Sequence, residues 1–124
     1  MRTDYNVTIR ESSRELTARE RIKFKDVSAA VPMDTAVTLD NPITIQPVGF
    51  VVLDVHNEKS EDKDYVKYVI EDANGTLYAT GSDSFINSFM EIDSEMNGEP
   101  YEIQVYKRES KNYKGKHFLT CTIV

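Results

Sequence analysis

The sequence predicts one mostly-β domain, and three observations lead to that prediction. Apolar and polar residues alternate along several segments of the 124 residues, which is the period of a half-buried β-strand. Asn74-Gly75 joins two of these segments and is the dipeptide that most favours a tight β-hairpin. A single stretch, residues 82–96, has the apolar spacing of a helix instead. We therefore expect a β-rich domain with one helix.

The composition is that of a globular domain with an acidic balance. Charged residues make up 29% of the chain and apolar residues 40%, and the formal net charge is −6. No apolar run has the length of a membrane span, and residues 1–13 lack the apolar core of a signal peptide. Cys121 is the only cysteine, so we expect neither an intrachain disulfide nor a cysteine-based metal site. These features favour a cytoplasmic protein that does not bind membranes.

The amino-terminal third is predicted to contain one strand with an unusual charge pattern. Residues 1–13 are polar without a clear period and are expected to form an arm or an outer strand, while residues 14–124 form one domain. Residues 15–26 alternate and are predicted as the first strand. Its apolar face carries Leu16, Ala18, Ile22 and Phe24, and its other face carries Thr17, Arg19, Arg21, Lys23 and Lys25. Residues 27–42 are predicted as a loop.

Two further strands are predicted in the middle of the chain. Residues 43–56 are rich in β-branched residues and apolar on both faces, which is typical of a strand buried on both sides. Pro47 and Gly49 indicate a bend or bulge near its start. Residues 65–72 alternate and form the third strand, and residues 76–80 return from Asn74-Gly75 as a hairpin extension. We expect a type I′ turn, in which both central residues have positive φ.

The helix and the last two strands complete the predicted order. Ser82 suits the N-cap of a helix over residues 82–96, and Asn97-Gly98 suits its end. Residues 101–108 and 117–124 alternate as the fourth and fifth strands, joined by a basic turn. Five strands with one helix between the third and fourth is the order of an OB-fold, a small five-stranded Greek-key barrel.

Cationic residues are concentrated in two blocks near the ends of the chain. The first block is Arg19, Arg21, Lys23 and Lys25, on one face of the predicted first strand. The second block is Lys107, Arg108, Lys111, Lys114 and Lys116, in and around the last hairpin. Like charges at successive outward positions repel each other. The first block therefore indicates either a track for phosphates or an edge strand that is charged against aggregation.

Aromatic residues share strand faces with polar residues close to the second block. Tyr106 alternates with Gln104, and Phe118 alternates with Thr120 and Thr122. Aromatic rings beside cations are the composition that single-stranded nucleic acid binding requires, because bases stack on the rings. The candidates for stacking are Tyr68, Tyr78, Tyr106, Tyr113 and Phe118. The alternative for each of them is packing in the core or at the end of the barrel.

Four pieces of residues 66–124 follow one another in a characteristic order. They are Asp72-Ala73-Asn74-Gly75-Thr76-Leu77-Tyr78, the capped helix, the strand over residues 101–106, and Ser110 with Lys114-Gly115-Lys116-His117-Phe118 before an apolar strand. In these pieces and their order, residues 66–124 resemble the single-stranded DNA-binding proteins of small protein-primed tailed phages. The resemblance implies an OB-fold that coats single-stranded DNA during phage replication in the host cytoplasm, without catalysis. It also implies that Tyr78 matches a tyrosine that contacts DNA in the family.

A second hypothesis is an acidic protein-interaction module or DNA mimic. Residues 68–106 contain no Lys or Arg, and eight Asp and Glu lie between Glu71 and Glu102. Such a face could instead recruit phage or host replication proteins to the DNA-binding protein. An enzyme is not expected, because the chain lacks a phosphate-binding glycine loop and any grouping of His, Cys or acids typical of a catalytic, metal or cofactor site. Cys121 alternates with Leu119 and Ile123 as a core residue.

Overall fold

The described part of the chain folds into two β-sheets and three α-helices. The computed structural model describes residues 5–110 and 115–124. The strands are β1 (Tyr5–Ser12), β2 (Val31–Pro32), β3 (Ile43–Ile45), β4 (Pro47–Asn57), β5 (Asp64–Asp72), β6 (Leu77–Thr80), β7 (Ile103–Glu109) and β8 (His117–Ile123). The helices are α1 (Ala18–Lys25), α2 (Met33–Ala36) and α3 (Asp83–Met96). Strand accounts for 46% and helix for 25%, so the mostly-β class is confirmed.

The larger sheet has the strand order β1-β4-β5-β6-β2, and the smaller sheet has the order β3-β7-β8. Neighbouring strands are antiparallel except β2 and β6, which are parallel. β1 is an edge strand of the larger sheet and pairs with β4. The two sheets do not close into a barrel, so the predicted five-stranded OB barrel is not confirmed.

Residues 43–57 pass from one sheet into the other at Gln46. β3 pairs with β7, and β4 pairs with β5. Between them, the Gln46 N–H donates to Asp72 Oδ1 at 3.0 Å, and the Gln46 carbonyl accepts from the Ala73 N–H at 2.9 Å. The pairing register then shifts between Pro47 and Gly49. The bend predicted from Pro47 and Gly49 is confirmed, and it divides the predicted second strand into β3 and β4.

The hairpin between β5 and β6 is present, but its turn is not type I′. Gly75 has φ +92°, whereas Asn74 does not have positive φ. The Gly75 N–H donates to the Asp72 carbonyl at 2.8 Å, and Asn74 Oδ1 accepts from the Thr76 N–H at 2.9 Å. The predicted turn type is therefore wrong. The loop between β5 and β6 is longer than two residues, and only Gly75 in it has to adopt the left-handed conformation.

Helix α3 agrees with the prediction at both ends. Ser82 is the N-cap and its hydroxyl accepts from the Phe85 N–H at 3.1 Å, while Asn97 ends the helix with φ +47°. The helix lies along β8, where Ser84 Oγ donates to the Leu119 carbonyl at 2.7 Å. α3 thereby covers the outer edge of the smaller sheet and supplies a hydrogen-bond donor to it.

The predicted first strand over residues 15–26 is wrong, because this segment forms α1. Thr17 and Glu20 form a capping box: the Glu20 N–H donates to Thr17 Oγ1 at 3.2 Å, and the Thr17 N–H donates to Glu20 Oε1 at 3.0 Å. The first backbone N–H groups of a helix have no partners within the helix, and these two bonds supply partners at the start of α1. In the helix Phe24 is 1% exposed and Ile22 is 71% exposed, so the two no longer share a face.

Two cores cover opposite faces of the larger sheet. The inner core, between the sheets, contains Met33, Val37, Ile45, Phe50, Ile70, Phe85, Ile86, Phe89, Ile103, Val105, Leu119 and Cys121. The outer core contains Phe24, Ala30, Val51, Leu53, Val55, Val69, Leu77 and Ala79. Adjacent residues such as Phe50 and Val51 belong to different cores because side chains alternate along a strand. α1 therefore lies on the face of the larger sheet that is turned away from the smaller sheet.

The different burial of two apolar residues in α1 gives a test of the helix. Phe24→Ala is expected to lower the free energy of unfolding by about 3–5 kcal/mol, because it removes a fully buried ring. Ile22→Ala is expected to change it by less than about 0.5 kcal/mol, because Ile22 is exposed. Urea unfolding followed by circular dichroism measures both. Equal destabilisation by the two variants would instead support the alternating strand.

Candidate nucleic-acid interface

The outer face of the smaller sheet brings aromatic and cationic side chains together. β7 and β8 pair with Tyr106 opposite Thr120 and Arg108 opposite Phe118. Residues directly opposite each other in an antiparallel pair point to the same face, as do residues two apart on one strand. Tyr106, Arg108 and Phe118 therefore share one face, and we call these three residues the platform. Val105 and Cys121, on the other face, are buried in the inner core.

The platform is accessible to a ligand. Phe118 is 36% exposed, Arg108 is exposed and Tyr106 is half-buried. Tyr106 and Phe118 are diagonal neighbours, whose backbones lie about 7–8 Å apart, within reach of aromatic side chains. Gln104 and Thr122 are exposed and extend the same face by one further cross-strand pair. Planar groups such as bases can stack on the rings of Tyr106 and Phe118, and the guanidinium of Arg108 can bind an anion beside them.

The other cations of the second block have different surroundings. Lys107 is half-buried on the inner side of β7, where Nζ donates to the Asp34 carbonyl. Lys116 is exposed immediately before β8. Lys111, Tyr113 and Lys114, which the sequence also predicted as site residues, lie outside the described residues. Arg108 is thus the cation of this block that the described structure places on the platform.

Tyr68 and Tyr78 are not part of the platform. Both are half-buried and pack against the inner core from the larger sheet. The Tyr68 hydroxyl donates to Asp83 Oδ1 at 3.1 Å, and burial followed by this bond raises the pKa of Tyr68. Burial, with a smaller contribution from Asp72, raises the pKa of Tyr78. Each ring therefore already has a packing role in the fold.

The first basic block lies on the opposite side of the larger sheet. Its four cations are exposed on α1, where residues two apart are rotated by about 200° and do not form one row. Arg21 Nη1 donates to the Leu16 carbonyl at 2.7 Å, and Lys23 Nζ lies 3.9 Å from Glu71 Oε2. The alternating strand face that grouped Arg19, Arg21, Lys23 and Lys25 does not exist. The larger sheet separates these four cations from the platform.

The structure gives the surroundings of Cys121 and His56, two residues of types that often act in catalysis. Cys121 is buried in the inner core, and burial raises the pKa of its thiol to about 12. His56 lies between two carboxylates, with Nδ1 2.7 Å from Asp64 Oδ1 and Nε2 2.7 Å from Glu58 Oε1. These hydrogen bonds, the one to Asp64 first, raise the pKa of His56. In residues 5–110 and 115–124 no group of three or more His, Cys, Asp or Glu could hold a metal ion.

Comparison of the chain with protein-family models, with curated proteins and with solved structures finds no match. Within the part of the chain that the structure describes, no helix has both the length and the apolar character needed to cross a bilayer. Function must therefore be inferred from the geometry of the site.

Sequence reasoning placed Tyr106 and Phe118 on polar strand faces but missed how they meet. The missing information is the register of β7 against β8, which puts Arg108 opposite Phe118 and Gln104 opposite Thr122. Alternation within each strand identified the correct face of both strands. Nothing in either strand alone fixes the register, because the register of a hairpin depends on the type and length of the turn that joins its two strands.

The raised pKa of Cys121 predicts a thiol that does not react in the native state. At pH 8 the buried group is protonated, and alkylation by iodoacetamide is expected to be more than about a hundredfold slower than that of an exposed cysteine. The matched control is Cys121→Ser combined with Thr122→Cys, because Thr122 is the exposed neighbour. Addition of 8 M urea, about the usual unfolding concentration, should make the two rates equal. Fast native labelling of Cys121 would contradict its burial.

Proposed function

We propose that the protein binds single-stranded DNA with little dependence on sequence, through the platform. The observation that carries the proposal is the cross-strand arrangement of Tyr106, Arg108 and Phe118 on an exposed sheet face. Stacking on aromatic rings tolerates any base, because every base has a π-face. Two rings held on paired strands also lose little side-chain freedom when bases bind.

Phosphate contacts would come from the same end of the smaller sheet. Arg108 lies on the platform, and Lys116 is exposed next to β8. In sequence, Lys111 and Lys114 lie in the connection between β7 and β8. The net charge of −6 opposes binding of a polyanion, so local cations have to supply the attraction. The α1 cations lie across the larger sheet, and the proposed DNA path does not require them.

The proposed function is compatible with an OB-like architecture that is open between β6 and β8. The supporting observation is the continuous order β8, β7, residues 43–57, β5 and β6, with α3 between β6 and β7 in the chain. In OB-folds, oligonucleotides bind the face of the second and third strands and two loops. Here the corresponding face of β5 and β6 packs into the outer core beneath α1. The platform on the last two strands would take over that role.

The resemblance to phage single-stranded DNA-binding proteins suggests where such binding would be used. We propose that the protein coats single-stranded DNA during phage DNA replication in the cytoplasm of the host. Phage or host replication proteins would be its partners, through acidic residues of the segment 68–106. Binding without catalysis fits a site composed of stacking and charged groups.

A titration with oligo-dT, followed by tyrosine fluorescence, tests this function. The chain has seven Tyr and no Trp, so the fluorescence reports on the residues in question. We expect saturable quenching that weakens as salt is raised, and much weaker binding of duplex DNA. A gel shift of the same samples detects binding that does not involve a tyrosine. Absence of both signals at low salt would contradict the proposed function.

Truncation of the platform rings is expected to weaken binding of oligo-dT. Phe118→Ala and Tyr106→Ala should each cost about 1–3 kcal/mol of binding free energy, because each removes a stacking surface. Ile123→Ala is the matched control, since Ile123 is an exposed apolar residue of β8 outside the platform. Thermal melting of each variant separates loss of binding from loss of folding. Unchanged affinity in a folded Phe118→Ala variant would place the binding site elsewhere.

Neutralising one cation on each side of the larger sheet tests which basic block contacts DNA. Arg108→Gln should lower the affinity and reduce the slope of log K against log salt by about 0.7, the value for one phosphate contact on a single strand. Arg19→Gln removes the same charge from α1 and should leave the slope unchanged. Equal effects of the two variants would indicate that charge at any position matters and that the platform has no special role.

A further inference from the structure

A cleft lies between the bend of residues 43–57 and the carboxyl end of α3. Its volume is about 320 Å³, and its lining includes residues 46–50 on one side and residues 98–101 on the other. No residue of the platform lines it. This volume is at the lower end of the range for ligand-binding pockets, which suits one or two side chains.

The floor of the cleft and part of its walls are apolar. The rings of Phe50 and Phe89 meet edge to face beneath it, with centroids 5.5 Å apart. Val48 is 52% exposed at the rim, and Pro47 and Pro100 form opposite walls. Rigid proline and aromatic walls lose little freedom when a side chain binds between them. The cleft can therefore accept an aliphatic side chain or an aliphatic stem.

One side of the cleft is acidic. Asp93 and Glu99 both line it, and Asp93 Oδ1 accepts a hydrogen bond from the Tyr101 hydroxyl at 2.8 Å. Across the described ranges neither carboxylate takes part in an ion pair. Both also lie near the carboxyl end of α3, where the helix dipole is negative. Two carboxylates and a negative helix end above an apolar floor favour a cation with an apolar stem.

Arg14, a cation beside Gly49, does not neutralise these acids. Arg14 lies against Gly49, at the opposite wall of the cleft. Its guanidinium already contacts Glu20 and Glu71, the latter at 3.3 Å. The charge of Arg14 is therefore neutralised by carboxylates outside the cleft. Asp93 and Glu99 can still attract a cation from another molecule.

We propose that this cleft docks an arginine or lysine, next to an apolar residue, in an extended segment of a partner protein. The apolar residue would occupy the Phe50–Phe89 floor, and the cation would lie between Asp93 and Glu99. Charge complementarity and the dimensions of the cleft carry the inference. The site is separate from the platform, so it does not depend on whether the protein binds DNA.

An NMR titration with capped dipeptides tests the proposal. The probe is acetyl-Leu-Arg-amide, and its uncharged isostere is acetyl-Leu-citrulline-amide. We expect saturable shifts of the amides of Gly49, Gly98 and Tyr101, with the arginine peptide binding at least about fivefold more tightly, as expected for two exposed ion pairs. Absence of shifts at these amides, or equal affinity for the two peptides, would overturn the proposal.

Matched pairs of substitutions on α3 and its end identify the carboxylates responsible. Asp93→Asn with Glu99→Gln keeps side-chain size and the acceptor for Tyr101 while removing both charges from the cleft. Glu91→Gln with Glu95→Gln removes two charges from exposed positions of α3 that do not line the cleft. The first pair should abolish the preference for arginine over citrulline, and the second should preserve it. Loss of preference in both pairs, or in neither, would overturn the assignment. Oligo-dT affinity, measured in parallel, should not distinguish the two pairs.

Discussion

The passage of one extended segment, residues 43–57, between the two sheets is the constraint on which the rest of the structure depends. At Gln46 the backbone leaves one sheet before it enters the other, so its N–H and carbonyl need partners from outside both ladders. Asp72 and Ala73 supply them from the turn after β5. Because Gln46 is exposed, each of these bonds contributes about 0.5–1.5 kcal/mol. The turn between β5 and β6 thus fixes the bend, and the bend fixes where β7 and β8 lie over the larger sheet.

This arrangement decides which surfaces remain available. Part of each face of the larger sheet is covered, one by the outer core with α1 and the other by the inner core with the smaller sheet, whereas Asn6, Thr8 and Arg10 of β1 are exposed. The inner face of the smaller sheet is covered by the inner core, and on its outer face α3 buries Thr120. α3 lies along β8, where Ser88 bonds to Thr120, and leaves Arg108 and Phe118 exposed. An exposed aromatic platform is possible on these strands because the helix occupies the edge of the sheet.

Most of the fold could be predicted where local patterns agree with each other. β5, β7, β8 and α3 lie within two residues of their predicted bounds, because alternation or a cap at Ser82 marks each of them. The strand predicted over residues 15–26 was wrong, because a pattern of alternating cations also fits a helix that carries cations on two sides. The spacing of Thr17 and Glu20 was the pattern that favours the helix. The platform required the pairing of Arg108 with Phe118, which depends on contacts between strands and is not contained in either strand.

Helix α3 also explains how a chain with a net charge of −6 could bind DNA at one place and a cation at another. Ser84, near its amino end, holds the strand that carries Phe118, whereas Asp93 faces the cleft. Nine residues of helix separate these two positions, which is about 13 Å along the axis. No residue of the platform lines the cleft, so the two sites do not share a side chain. Each site can therefore have its own charge preference.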